Sequence, residues 1–349
     1  MNDLFFYLHS HKDLSLKEYP FSDVDALILS SFVYVKFDQI EDGTLVKELD
    51  ISHITEKECH MKEDLRLLKA FVKTKRFGTL QIKYYTSILR ESTQYGAVVL
   101  EDDENVFIVF RGTDNTLEGW LEDFNMAFTS YIPSQAIAYQ YTEKVLSKVE
   151  GKRVFIMGHS KGGNLALFSY LNLDDEQKEK VEAVYNLDGP GFSEYSNMAQ
   201  KLAKEDDKIN TFVPSGTVIG MLLEHGDRYR VVKSRNFGIM QHDLYSWRLK
   251  GNELWFVKDR DRLSYKKDAL IHSFLSSLSA NDRAEFVSLI FKHINKKGYK
   301  DFDEVLLNFI KDLNELLKNY KTLDSETKSM ITKCFSALYL AEKKNDVKH

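Results

Sequence analysis

The pattern of apolar and polar positions divides the chain into three stretches. Residues 1–75 read mainly as helix. Within them FSDVDALILSSFVYVKFD, from Phe21 to Asp38, has Ser22 placed as an N-cap and Asp25 at the capping-box spacing. From Tyr95 the pattern shortens. GAVVLEDDENVFIVFRGTD is two short apolar runs around an acidic DDEN turn, which predicts a β-hairpin. IPSQAIAYQYTEKVLSKVEGK predicts a helix ended by Gly151. RVFIMGHSKGGNLALFSYLNL then runs continuously apolar, breaks into glycines and resumes with helical spacing. A continuous apolar strand is one buried on both faces, as in a parallel sheet.

KVEAVYNLDGPGF, DKINTFVPSG and DRYRVVKSRNFGIMQHD add further strands that end in turns, and the alternation with helices predicts an α/β sheet. After Trp255 the chain reads as almost wholly helical. RLSYKKDALIHSFLSSL, DRAEFVSLIFKHINKKG, DFDEVLLNFIKDLNELLKNY and SETKSMITKCFSALYLAEKK each space their apolar residues by three and four. The expected organisation is an N-terminal helical segment packed on the core (1–75), an α/β core (76–261) and a helical C-terminal appendage (262–349).

Composition narrows the function classes. Over 349 residues, 43% are hydrophobic and 29% charged, so the chain can build a real core without metal or disulfide. A net charge of −5 leaves no electrostatic footprint for nucleic acid. Cys59 and Cys334 are far apart in sequence and form no metal-type spacing, which points to a reducing compartment. The start, MNDLFFYLHSHKDL, lacks the basic stretch, apolar run and cleavage site of a signal peptide. No apolar run reaches the roughly eighteen residues of a membrane span. These features predict a cytoplasmic protein for which surface contact with a membrane, and any oligomeric state, stay open.

Candidate chemistry centres on Gly158-His159-Ser160-Lys161-Gly162, a G-x-S-x-G motif that follows VFIM and precedes NLALFSYL. In a nucleophile elbow the serine sits in a strained strand-to-helix turn, and small residues two before and two after let the backbone pass. The flanks fit that context and predict an α/β-hydrolase fold, a mainly parallel sheet flanked by helices, with Ser160 as nucleophile. A serine hydroxyl needs a base in reach, and in this fold the order is Ser, then Asp or Glu, then His. Among His225, His242, His272 and His293, the expected base is His242, in a loop past the last predicted strand. The expected acid is Asp188, which ends VEAVYNL and opens a Gly-Pro-Gly turn, with Asp227 and Glu224 as fallbacks. Oxyanion donors are expected from the N–H of Lys161, whose side chain should face solvent, and from Thr113 in Phe110-Arg111-Gly112-Thr113-Asp114, through its N–H with its hydroxyl as a further option. Gly112 is expected to give that backbone freedom to approach a substrate.

VFRGTDNTLEGWLEDF followed by VFIMGHSKGGNLA resembles the class-three, fungal-type lipases, where an R-G-T or R-G-S loop supplies an oxyanion donor and a Trp-containing helix serves as a lid. A closer resemblance is to the bacterial Mbeg-like family of α/β-hydrolases, through GWLEDFNMAF, GHSKGGNLA, LDGPGF, VPSGTVIGMLL and QHDLYSW across roughly residues 20–250. By analogy Gly112, His159, Trp120 and Phe124 line the substrate. The pattern departs from class-three lipases at the acid: their acid follows the next strand, where this chain offers only Ser215, whereas NLDGPGF resembles the pancreatic-type lipase segment whose Asp is the acid. What the residues and the resemblance imply together is hydrolysis of a small-molecule or lipid ester through an acyl-enzyme, with no metal or organic cofactor. A thioesterase or acyltransferase would use the same triad, and a scaffold protein could keep the elbow without turnover.

Overall fold

A computed structural model describes residues 2–90, 93–204, 207–299, 301, 304, 305, 308, 311, 312, 315 and 324–346. The sheet holds eight strands in the order β1-β2-β3-β4-β5-β6-β7-β10. They are β1 (Gln81–Arg90), β2 (Thr93–Glu101), β3 (Asn105–Phe110), β4 (Arg153–His159), β5 (Val181–Leu187), β6 (Ile209–Pro214), β7 (Arg230–Val232) and β10 (Phe256–Val257). A two-stranded ribbon, β8 (Leu249–Lys250) with β9 (Glu253–Leu254), stands apart from it. From β3 to β7 all pairings are parallel, and β1, β2 and β10 add antiparallel edges. This is an α/β-hydrolase fold.

Period-two alternation explains how the sheet is covered. Phe107, Val109, Phe155 and Met157 face the N-terminal segment, including Val24, Leu27 and Ile28 of α2 (Asp23–Phe32). Val106, Ile108, Val154 and Ile156 face the other way, onto α6 (Pro133–Leu146) and α7 (Lys161–Asn172). Both faces are therefore dry, and the central strands need the continuous apolar sequence they have. Three shorter helices join the strands: α5 (Leu117–Asn125) after β3, α8 (Asp175–Glu179) before β5 and α9 (Met198–Leu202) before β6.

The N-terminal segment is less helical than its sequence suggests. It contains α1 (Leu4–Ser10), α2, α3 (Lys62–Phe71) and α4 (Lys75–Gly78), two 3-10 turns and long irregular stretches. Ser22 caps α2 and Asp25 completes the capping box. The helix stops at Phe32, however, where the β-branched, aromatic run from Val33 to Phe37 leaves helical geometry. Strand β1 escapes the sequence pattern because a bulge between Lys83 and Thr86, with Tyr84 at φ 52°, interrupts its alternation. Helix α6 ends at Leu146, before Gly151, which instead takes φ 67° in the turn leading to β4.

Past the sheet run α10 (Arg262–Ser276), α11 (Ala280–Lys297, capped by left-handed Gly298) and a helix at Ser325–Asp346. The predicted helix DFDEVLLNFIKDLNELLKNY falls largely outside the described residues.

Candidate active site

Ser160 follows β4 and caps α7 at φ 57° and ψ −132°, a conformation that costs a non-glycine residue on the order of 1–3 kcal/mol. The motif glycines make the turn possible. A Cβ on Gly158 would overlap the backbone of Gly162, and one on Gly162 would overlap the carbonyl of Phe110. The Ser160 N–H donates to Leu187 O at 3.0 Å, which ties the turn to the end of β5.

Asp188 follows Leu187, also at positive φ, 51°, and is fully buried. Its Oδ2 accepts from His242 Nδ1 at 2.7 Å across 54 residues. Its Oδ1 accepts from Thr217 Oγ1 at 2.5 Å and Gly220 N at 3.2 Å, both from the turns after β6. Because a carboxylate accepts, Nδ1 of His242 carries the proton and Nε2 is left with its lone pair. Of the two fallback acids, Glu224 instead lies beside His272 at 3.3 Å, and Asp227 is exposed. Ser215 bonds Gln241.

His242 closes a 3-10 turn, Gly238–His242. A second clamp holds it there: His159 Nε2 lies 2.9 Å from the His242 carbonyl, and the two imidazole centroids are 4.4 Å apart. A carbonyl can only accept, so His159 carries its proton on Nε2, and its Nδ1 accepts from the Tyr34 hydroxyl at 2.9 Å. Burial, with His242 alongside, holds the His159 imidazole well below its usual pKa, so it stays neutral. Burial pushes the Tyr34 phenol up. His159, expected among the residues lining the substrate, thus has both ring nitrogens engaged inside the protein. Among the described residues no hydrogen bond joins Ser160 Oγ to His242 Nε2. The ring next to Ser160 in sequence is the one packed against His242, and catalytic hydrogen bonds often tighten only with substrate bound.

The loop after β3 lies against the elbow. Gly112 does not have positive φ; it is needed because a Cβ would overlap Tyr34 Oη and crowd His159 O and Ser160 Cβ. Thr113 directs its hydroxyl to Asp123 Oδ2 at 2.5 Å, so only its N–H is free to serve as a donor. Burial raises the Asp123 carboxyl to about 6, against the pull of Lys161. Asp114 is drawn the other way: burial opposes it, but Lys36 at 2.6 Å holds it down to about 2.

The side chain of Lys161 corrects the expectation that it faces solvent. It is fully buried, donating to Glu122 Oε2 and Gln94 O, each at 2.9 Å, with Asp123 Oδ1 at 3.6 Å. Glu122 also accepts from the N–H groups of Gln94 and Ser134. Glu122 and Asp123 belong to α5, whose adjoining face carries Trp120 and Phe124. Those two, expected to line or cover the substrate, pack with Val287, Phe291 and Ile294 of α11, Phe124 meeting Phe291 edge-on at 6.0 Å.

Sequence reasoning missed Tyr34, Glu122, Asp123 and Thr217. Glu122 and Asp123 lie in GWLEDFNMAF and Thr217 in VPSGTVIGMLL, segments with a visible signal, but nothing in them marks these residues as partners of the site. Tyr34 is drawn in by a contact 125 residues away in sequence, with no local pattern.

Fold and site together define a protein of the α/β-hydrolase class, with a serine at the sheet-to-helix turn and a histidine–aspartate pair beside it. The chain belongs to the Mbeg1-like family, whose model matches residues 71–292. No curated protein sequence matches it. Among solved structures, it is similar to the native propeptide complex of Rhizomucor miehei lipase, at 19% identity and a TM-score of 0.38, over 47% of this chain and 58% of that one. Lip2 lipase from Yarrowia lipolytica is 13% identical, with a TM-score of 0.38 over 68% of this chain and 86% of that one. A mutant form of MDLA from Penicillium cyclopium is 12% identical, with a TM-score of 0.43 over 66% and 83%. The chain thus spans a little over half the length of the Rhizomucor lipase.

Proposed function

We propose that this protein is a serine hydrolase of carboxylic esters, lipase- or esterase-like, working through an acyl-enzyme on Ser160. The observation that carries the reading is the buried Asp188 bound to His242 Nδ1 at 2.7 Å, which leaves Nε2 as a base for the serine at the turn. Ser160 Oγ attacks the ester carbonyl as His242 Nε2 takes its proton. The N–H groups of Thr113 and Lys161 hold the oxyanion. His242 gives the proton to the leaving alcohol, then takes one from a water that attacks the acyl carbonyl and passes it to Ser160 Oγ as the acyl–serine bond breaks. Asp188 keeps the imidazole oriented throughout.

In this reading Lys161 acts through its N–H alone, its ammonium being engaged by Glu122. The substrate is a small-molecule or lipid ester. We extend the proposal to the division at residues 75 and 261, and to a cytoplasmic site of action, which the two free cysteines favour. Among the described residues no helix is long and apolar enough to cross a membrane.

A fluorophosphonate probe is expected to label wild type and spare Ser160→Ala, with p-nitrophenyl ester hydrolysis lost in the same variant and in His242→Ala. Equal labelling of wild type and Ser160→Ala would end the proposal.

A further inference from the structure

The loop that carries His242 also carries the most exposed large apolar side chain among the described residues. Phe237 is 88% exposed, and Ile239 and Met240 beside it are 57% and 62% exposed. Three such side chains within four positions are not scattered surface residues; they form one apolar tip.

The tip stands on a rigid base. Asn236 Nδ2 donates to Met240 O at 3.0 Å, and the 3-10 turn Gly238–His242 starts from Gly238 at φ 56°. Below it, buried Gln241 accepts from Gly216 N at 2.9 Å through its side chain and from Trp247 Nε1 at 3.0 Å through its carbonyl. Gln241 and Trp247 are themselves buried, whereas the apolar groups above them face outward.

Charge identifies the occupant. Between residues 227 and 253 stand Arg228, Arg230, Lys233, Arg235, Arg248 and Lys250 against Asp227, Asp243 and Glu253, in a chain of net charge −5. Lys250 lies across the ribbon from Glu253 and Arg230 pairs with Asp23, so the cations offered beside the tip are Lys233 and Arg235. Backbone bonds from Lys233 to Trp255 and Arg248, and from Arg235 to Ser246, hold the loop-flanking cations on one ribbon. Lys233 and Arg235 are exposed. A convex apolar tip flanked by cations suits a fluid acyl layer under anionic headgroups, which needs no matching groove.

We propose that the Phe237–Met240 loop inserts into the surface of an anionic phospholipid bilayer, seating the face that bears His242 against the lipid. The ester-hydrolase reading gives this docking its use, but the binding step requires no turnover and is measured separately.

The test is flotation of the full-length protein with vesicles of phosphatidylcholine alone or containing phosphatidylserine. Wild type and Ser160→Ala are expected to bind anionic vesicles equally. Phe237→Ser/Ile239→Ser/Met240→Ser is expected to bind about 100-fold more weakly, with an unchanged melting curve. Lys233→Gln/Arg235→Gln, a milder change, is expected to lose roughly 30-fold on anionic vesicles and nothing on neutral ones. The proposal is overturned if wild type stays with the unbound protein, or if the triple variant floats as wild type does. It is also overturned if sedimentation velocity finds wild type self-associating through this loop while neither form binds vesicles. If Ser160→Ala retains full ester hydrolysis, the hydrolase reading fails and the flotation result stands on its own.

Discussion

His242 is gripped at two points, and each grip settles a proton. Asp188 accepts the Nδ1 proton of His242, and His159 donates to its backbone carbonyl while accepting from Tyr34. A histidine fixed in one tautomer with a free Nε2 is poised as a base, whereas a freely rotating loop histidine spends most of its time elsewhere. Asp188→Asn preserves the shape and the bonds from Thr217 and Gly220, but its amide can donate to Nδ1 and so favours the wrong tautomer. On the proposed mechanism kcat/KM for a p-nitrophenyl ester should fall by about 10⁴-fold with little change in melting temperature. A loss below about tenfold would remove Asp188 from the role of orienting acid.

At the scale of elements, α5 works as a two-sided splint. Gly119, Glu122 and Asp123 turn toward β2 and the elbow, while Trp120 and Phe124 turn toward α11. The residues alternate by the helical period, so one short helix connects the loop after β3 with the C-terminal helices. Its strongest tie is the Lys161–Glu122 pair, in which both side chains are fully buried. Without Lys161, the buried Glu122 carboxylate keeps only the N–H groups of Gln94 and Ser134 and has no cation to offset its charge. Lys161→Met is therefore expected to destabilise the fold by about 3–5 kcal/mol in chemical denaturation. Lys161→Met/Glu122→Gln should recover much of that loss, because the one carboxyl left beside the site, Asp123, is already raised toward its neutral form by burial and keeps its bond from Thr113. A double variant as unstable as Lys161→Met would show that packing, not the ion pair, holds α5.

For the molecule as a whole, the N-terminal segment is part of the site as well as a cover for one sheet face. It delivers Tyr34 to His159 and Asp64 to the hydroxyl of Tyr245, 181 residues away. Burial also raises two carboxyls, Asp64 of this segment and Asp123 of α5, each to about 6. A carboxyl whose folded pKa lies above its unfolded value favours the native state while protonated and withdraws that support as pH climbs through about 4 to 6. For Asp123 the withdrawal amounts to about 1–3 kcal/mol. Asp123→Asn, which cannot ionise, should accordingly lose less melting temperature than wild type between about pH 4 and 6.5, by a few degrees. Parallel curves for the two proteins would refute the assignment.

Local patterns carried much of this. The sequence alone determined the hairpin of β2 and β3, the β4–elbow–α7 unit, the cap of α2 and the strand-end position of Asp188, because each depends on residues near one another and on periods of two or 3.6. The tertiary structure alone decided where Lys161 points, what Gly112 makes room for, and which helix Trp120 and Phe124 meet. It also decided that β1 joins the sheet through a bulge and that Tyr34 reaches the elbow. These depend on partners tens to more than a hundred positions away. Whether a charge is buried or solvated is a property of its neighbours in space, which no local spacing encodes.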